Sequence, residues 1–218
     1  MHIFQPDRYL LRKQMGAMSE FVVGSTLDIG AGECNRYGDL FRGVDEYVTM
    51  DIEPGPNVSI VGSIEDIPAD AESFDTVVCT QVLEHVPHPT RAVQEMHRVL
   101  KRGGHVVITV PQMNELHEEP RDFFRYTSFG LERLFEDAGF VVVKKIQRGG
   151  FFSTCAQMHI RYCIDRFHLY AHPWVGRIAG SIISVYGRCM IGLDSLDRSS
   201  SNRKHAIGWG YVFQKPQP

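Results

Sequence analysis

The sequence predicts an α/β fold, a mainly parallel sheet with helices on both faces. Three observations predict it. Between residues 25 and 146, short apolar runs of strand type alternate with amphipathic segments of helical spacing. The run FDTVVCT (74–80) is apolar on both faces, as strands buried inside a parallel sheet are. Glycines and prolines close most of these segments, as the punctuation of separate elements does.

Each element follows in order. Residues 7–22 read as a helix, with Tyr9, Leu10, Lys13, Met15 and Met18 mixing polar and apolar faces. STLDIG (25–30) reads as a buried strand that runs into a glycine turn, and 35–41 as a short helix. YVTMD (47–51) is a second strand with a carboxylate at its end, and 58–61 a short third. Only six residues separate Asp51 from Val58, and Pro54-Gly55-Pro56 lies among them. That link is too short for a crossover helix, and its prolines forbid one. Either the third strand is very short or a bare loop crosses there.

After FDTVVCT, residues 89–100 carry an apolar stripe of Ala92, Val93, Met96, Val99 and Leu100. Gly103 and Gly104 are expected to end that helix as a C-cap. HVVITV (105–110) is the next strand, 129–138 an amphipathic helix closed by Gly139, and 140–146 a further strand. The final strand is 208–215, expected antiparallel at the C-terminal edge and inserted beside 140–146. Residues 151–205 form a helical insertion before it, within a single domain of 1–218. One helix would hold Cys155, Met158, Tyr162, Ile164, Phe167 and Tyr170. A second would carry Val175, Ile178, Ile182, Val185, Cys189 and Leu193 on one face, a stripe that reads as core, and 194–204 as a polar loop.

The chain has 218 residues, 43% hydrophobic and 22% charged, the balance of an ordinary soluble protein. A net charge of -3 argues against a general nucleic-acid binder. The five cysteines (Cys34, Cys79, Cys155, Cys163 and Cys189) are odd in number and contain no C-x-x-C pair. Neither a disulfide framework nor a zinc site is expected, no metal ligand set is assigned, and a reducing, cytoplasmic compartment fits. The N-terminal stretch lacks the apolar region of a signal peptide. Arg177 and Arg188 break the most apolar late stretch, so no transmembrane segment is expected.

The chemistry concentrates at Asp28-Ile29-Gly30-Ala31-Gly32, after the first strand. Glycines there let the backbone turn tightly against a ligand. Ligands of open α/β sheets bind outside the carboxyl ends of the strands. Asp51 follows nineteen residues after Gly32, placed to accept from both hydroxyls of a ribose. A dinucleotide site shares this pattern, but its third glycine would fall at Asn35. Asp28 and Glu33 bracket the turn with negative charge, which suits a cationic sulfonium better than a diphosphate.

With these residues the chain resembles the class I S-adenosylmethionine-dependent methyltransferases, in the group called type 11 methyltransferase domains. The matching segments are LDIGAGE (27–33), MDIE (50–53), SFDTVVCTQVLEHV (73–86), RAVQEMHRVLKRGGHVVITVP (91–111) and RDFFRYTSFGLERLFEDAGF (121–140), in that order. The resemblance covers about 25–146 and the last strand, not 151–205. It implies a Rossmann-like class I methyltransferase sheet and S-adenosyl-L-methionine as cofactor. By the same resemblance Asp28, Gly30, Ala31 and Gly32 line its methionine end, Asp51 holds the ribose, and Ile52 packs on the adenine. Ser63 and Ile64 would meet the adenine edge, and Gln81 would border the cofactor. Two positions depart from the family: Cys34 stands where a third glycine is common, and Ser63 where an aspartate is.

An oxygen acceptor must lose its proton, usually to His, Asp or Glu. Two segments could serve: Glu84-His85 after the fourth strand, and HEEPRDFFRY (117–126) after the fifth, expected to fold over the acceptor pocket. His117 is the expected base, Asp122 its orienter, and His85 a further catalytic candidate. The plainer readings make His117 a solvated loop histidine, Glu84 and His85 backbone-bonding structural residues, and Arg125 and Tyr126 loop pins.

The acceptor expected is a small molecule, on a sugar, quinone or lipid-linked metabolite, with no nucleic-acid partner. Residues 151–205 could shape acceptor choice, form a homodimer contact or rest on a membrane surface. His159, Arg161, Arg166, His168 and Arg177 give them a mildly basic face. A methyltransferase of protein or RNA, and a non-catalytic cofactor-binding scaffold, are the alternatives. No N/D-P-P-Y/F stretch follows the fourth strand, where TQVLEH stands.

Overall fold

The computed structural model describes residues 3–32 and 37–217. The element order is α1 (Pro6–Met18), β1 (Val23–Ile29), β2 (Gly43–Asp51), β3 (Ile60–Val61), β4 (Phe74–Thr80), α2 (Pro89–Val99), β5 (Leu100–Pro111), α3 (Ser128–Glu136) and β6 (Val141–Arg148). It continues with α4 (Phe151–Arg166), α5 (Pro173–Leu196), α6 (Ser200–Arg203) and β7 (Gly208–Gln214). The strands form one seven-stranded sheet in the order β3-β2-β1-β4-β5-β7-β6. Pairings β2/β3, β1/β2, β1/β4 and β4/β5 are all parallel. β7 runs antiparallel to β5: Gly103 and Gly104 exchange backbone bonds with Lys215, while Gln112 at the other end bonds Ile207. The expected α/β sheet with its last strand inserted and antiparallel is therefore present.

Chain direction positions the site. From β1 the chain builds outward through β2 and β3, then returns to place β4 on the other side of β1. The strand order reverses between β1 and β4, where open sheets leave a crevice at their carboxyl edge. Residues following β1, β2, β3 and β4 all emerge at that edge. Both readings of the short link before β3 hold, since β3 has two residues and a helix-free segment leads to it.

Several local expectations are corrected. Gly103 and Gly104 do not cap α2, which ends at Val99 with Leu100 as its C-cap; both lie inside β5. A Cβ on Gly104 would stand 2.7 Å from the carbonyl oxygen of Asp75, so the backbone of β4 approaches too closely for any other residue. Gly103 has φ 81° beside a register shift in the β4/β5 pair. Close packing at a bulge, not helix termination, accounts for this glycine pair. The helix expected at 35–41 is, among the described residues, a 3-10 turn at Gly38–Leu40, and Asn35 lies outside them. The polar loop expected at 194–204 instead finishes α5 and forms α6.

The chain forms two compact units. The larger comprises Gln14–Pro111, His117–Ile146 and Trp209–Pro218. Its core includes Leu27, Val77, Val78, Met96, Val107, Phe135 and Phe213, all buried. Phe213 stacks on Phe135 with ring centroids 4.0 Å apart.

The smaller unit comprises Met1–Lys13, Gln112–Leu116 and Gln147–Gly208. Ile3, Ala156, Ile160, Ile164 and Leu169 form its core, with Ala179, Ile183, Tyr186 and Met190 of α5 packed against them. The stripe read as core is thus the wrong one: Ile178, Ile182 and Val185 are 69%, 67% and 66% exposed. α5 carries two apolar stripes of helical spacing, and helical periodicity alone does not say which one meets the core. The basic face is partly neutralised, since Arg161 pairs with Glu115 at 2.6 Å and with Asp165 at 3.5 Å.

Candidate functional site

The glycine turn after β1 has Gly30 at φ 73° and Gly32 at φ 59°, the left-handed region that favours glycine. Gly30 and Ala31 donate their N–H groups to Met50 O at 2.8 and 3.3 Å, which ties the turn to β2. Asp51, at the end of β2, accepts from Gly32 N at 3.0 Å through Oδ2 and from Glu53 N at 3.1 Å through Oδ1. Each carboxylate oxygen keeps a lone pair for a further donor. Asp28 is buried in β1 and accepts from the Tyr47 hydroxyl at 2.6 Å. Burial pushes its carboxyl up to about 6; the Tyr47 hydrogen bond opposes this and the charge of Asp51 adds to it. Glu33 and Cys34 lie outside the described residues.

Gln81 directly follows β4 with φ 55°, unusual for a residue with a side chain. Thr109 holds it there twice, accepting from Gln81 N at 3.0 Å and, through its hydroxyl, from Nε2 at 3.2 Å. The next residue, Val82, puts its Cγ2 where a Cβ on Gly30 would stand. At the β2 edge, Ile52 is 60% exposed, an apolar side chain left at a strand end. Ser63 Oγ accepts from Glu65 N at 3.1 Å. Ile64 is buried in the core.

The loop 117–126 is pinned to the segment after β4. Phe123 N and Phe124 N donate to Glu84 O at 2.9 and 3.1 Å, and the Tyr126 hydroxyl donates to Leu83 O at 3.2 Å. Arg121 adds an ion pair with Glu53 at 3.0 Å. These contacts bring the two expected catalytic segments together. The His85 and His117 rings meet edge to face, centroids 4.8 Å apart. His117 N donates to Asp122 Oδ2 at 2.9 Å, and its ring Nδ1 stands 3.5 Å from the same oxygen. Asp122 is also clamped by Arg125, at 2.6 Å on Oδ1 and 2.8 Å on Oδ2. That guanidinium holds the Asp122 carboxyl far below the ordinary carboxylate range. The Glu84 side chain is fully buried beside them.

Residues 27–108 match the family described as a methyltransferase domain. Over those residues the chain carries a methyltransferase domain, and S-adenosylmethionine is the cofactor this implies. A ubiquinone biosynthesis O-methyltransferase of Xanthomonas euvesicatoria pv. vesicatoria is 42% identical over 124 residues, 50% of this methyltransferase and 51% of that protein. The chain thus spans about half the length of that relative. A Haemonchus contortus phosphoethanolamine N-methyltransferase, solved with phosphomonomethylethanolamine and S-adenosylhomocysteine, aligns with TM-score 0.58 and 16% identity, over 94% of this chain and 52% of that one. The [4+2]-cyclase SpnF aligns with TM-score 0.56 and 17% identity, over 95% and 81%. At these identities the two structures speak to the fold alone.

The crevice of this methyltransferase fits the family's cofactor, S-adenosylmethionine. The Gly32 position has open space around it, Asp51 keeps acceptor capacity at the end of β2, and Ile52 offers an exposed apolar surface. Three residues of the geometry went unassigned in the sequence: Val82 against Gly30, Tyr47 on Asp28, and Thr109 beneath Gln81. No motif marks them, because each acts across strands distant in sequence.

Proposed function

We propose that this chain methylates an oxygen of a small-molecule acceptor, on a sugar, quinone or lipid-linked metabolite. S-adenosylmethionine supplies a methyl carbon bound to positive sulfur and is left as the neutral thioether. Asp28, the Gly30-Ala31-Gly32 turn, Asp51 and Ile52 bind and orient it, with Ser63, the backbone at Ile64 and Gln81 at its border. The acceptor oxygen forms the new C–O bond as the C–S bond breaks, and its proton must leave. His117, oriented by Asp122, takes that proton, and His85 stands beside it. Holding donor and acceptor in line is the larger part of the rate.

The observation that carries this reading is the pinning of loop 117–126 onto Leu83 and Glu84, which gathers His85, His117 and Asp122 beyond the end of β4. The name of the Xanthomonas relative supports an oxygen acceptor. The net charge of -3 counts against RNA. Among the described residues no helix is long and apolar enough to cross a membrane.

The test is calorimetric titration with S-adenosylmethionine and S-adenosylhomocysteine, beside NADH, on wild type and Asp51→Ala. Methyl transfer from labelled donor into extract fractions is then measured on wild type and His117→Ala. Binding of the first two ligands, lost in Asp51→Ala, with label appearing in a small organic product, is the expected result. Binding without label in any fraction would favour the scaffold alternative, and wild-type turnover by His117→Ala would remove that residue as base.

A further inference from the structure

Three side chains around the proton-accepting cluster have the composition of a metal site. Glu84, His85 and His117 each offer a ligand atom, and these atoms lie within 4.8 Å of one another. Glu84 Oε1 and His85 Nε2 are 3.9 Å apart, the Glu84 side chain fully buried and that of His85 partly exposed. Two imidazoles and one carboxylate suit a divalent transition metal rather than magnesium or calcium, which prefer all-oxygen shells.

The surroundings orient both rings. His85 Nδ1 lies 2.5 Å from Arg121 O, so Nδ1–H donates there and the Nε2 lone pair faces Glu84. His117 Nδ1 faces Asp122 Oδ2 at 3.5 Å, the carboxylate–histidine pairing that commonly supports ligating imidazoles. Arg125 also reaches His117 Nδ1 at 3.4 Å, but its shorter bonds go to Asp122. With Nδ1 turned toward Asp122 and Arg125, Nε2 is the His117 ring nitrogen assigned to the ion.

We propose that Glu84, His85 and His117 form a three-ligand divalent transition-metal site at the acceptor end of the crevice, open to an acceptor oxygen. The proposal deepens the methyl-transfer reading and rests on it for the acceptor. Ligand atoms at a bound ion stand roughly 3.3 Å apart for bonds of about 2.0–2.1 Å, so small side-chain rotations close the site. An acceptor hydroxyl on the ion would lose its proton to solvent more readily, as metal-bound water does. His117 would then act as ligand in place of base.

Cobalt(II) alone is the probe, titrated into tag-free full-length protein and followed by visible ligand-field absorption and calorimetry. One equivalent should bind to wild type and to the control His168→Ala. Binding should vanish in His85→Ala and in His117→Ala, each checked for fold by circular dichroism. Asp122→Asn, which leaves the ligands in place, should weaken it roughly ten- to hundredfold. No cobalt binding to wild type, or binding unchanged in both histidine variants, would overturn the site. S-adenosylmethionine binding on the same samples reads the methyltransferase assignment separately. Label transfer undiminished by chelator would overturn the ion's role in the reaction.

Discussion

Val82 Cγ2 occupies the place that a Cβ on Gly30 would need, so the turn after β1 and the first residues after β4 are packed directly on each other. The crevice floor at the strand-order reversal is built by this contact. Gly30 also sits at φ 73°, where a side chain is strained whatever the space. Gly30→Ala should therefore cost about 1–3 kcal/mol of stability and weaken S-adenosylmethionine binding about tenfold or more. Gly16→Ala, in open space on α1, should do neither. Thermal denaturation and calorimetry on the two variants check this.

Asp28 gives two pH dependences of opposite sign. Burial raises its folded-state carboxyl to about 6, above the 3.8 of an unperturbed aspartate. The folded protein thus holds this proton more tightly than the unfolded chain. Stability of the ligand-free protein should fall as pH rises from about 4 to 6, through this group. A cationic cofactor prefers the ionised carboxylate, so its affinity should be full above about pH 7 and fall by up to roughly tenfold per unit below 6. Asp28→Asn should flatten both contributions in denaturant melts and in titrations across that range.

Arg125 clamps both oxygens of Asp122 and so fixes the loop that carries His117. Arg125→Met should return the Asp122 carboxyl toward the ordinary range and loosen the loop. Turnover should drop about tenfold or more while cofactor affinity stays near wild type, because the glycine turn and Asp51 are untouched. A kcat loss with unchanged cofactor Kd is the signature to measure.

Asp194, near the end of α5, caps the start of α4. Its carboxylate accepts from Gly150 N at 2.9 Å and from Phe152 N and Ser153 N at 3.0 Å each, and takes the Ser153 hydroxyl as well. A carboxylate at a helix N-terminus also meets the positive end of the helix dipole. Asp194→Ala should destabilise the smaller unit by about 2–4 kcal/mol. Urea unfolding should show this, and Asp194→Asn should recover part of it.

The sequence by itself determined the sheet and the glycine turn after β1. Alternating strand and helix patterns fixed their order, because burial on one face imposes a period that survives in the residues. Asp28, Gly30, Gly32 and Asp51 were legible because a turn of required φ and a strand-end carboxylate are local demands. Tertiary structure decided what depends on partners remote in sequence. Asp75 O against Gly104 made the glycine pair of β5 a packing device instead of a helix cap. Both apolar stripes of α5 satisfy the helical period, and only packing with Ile3 and α4 chose Ala179, Ile183, Tyr186 and Met190. His85 and His117 lie on segments 32 residues apart; the bonds from Phe123, Phe124 and Tyr126 to the backbone after β4 bring their rings together. Periodicity and turn chemistry are written in neighbouring residues, whereas convergence of side chains depends on backbone hydrogen bonds that form only when the chain has folded.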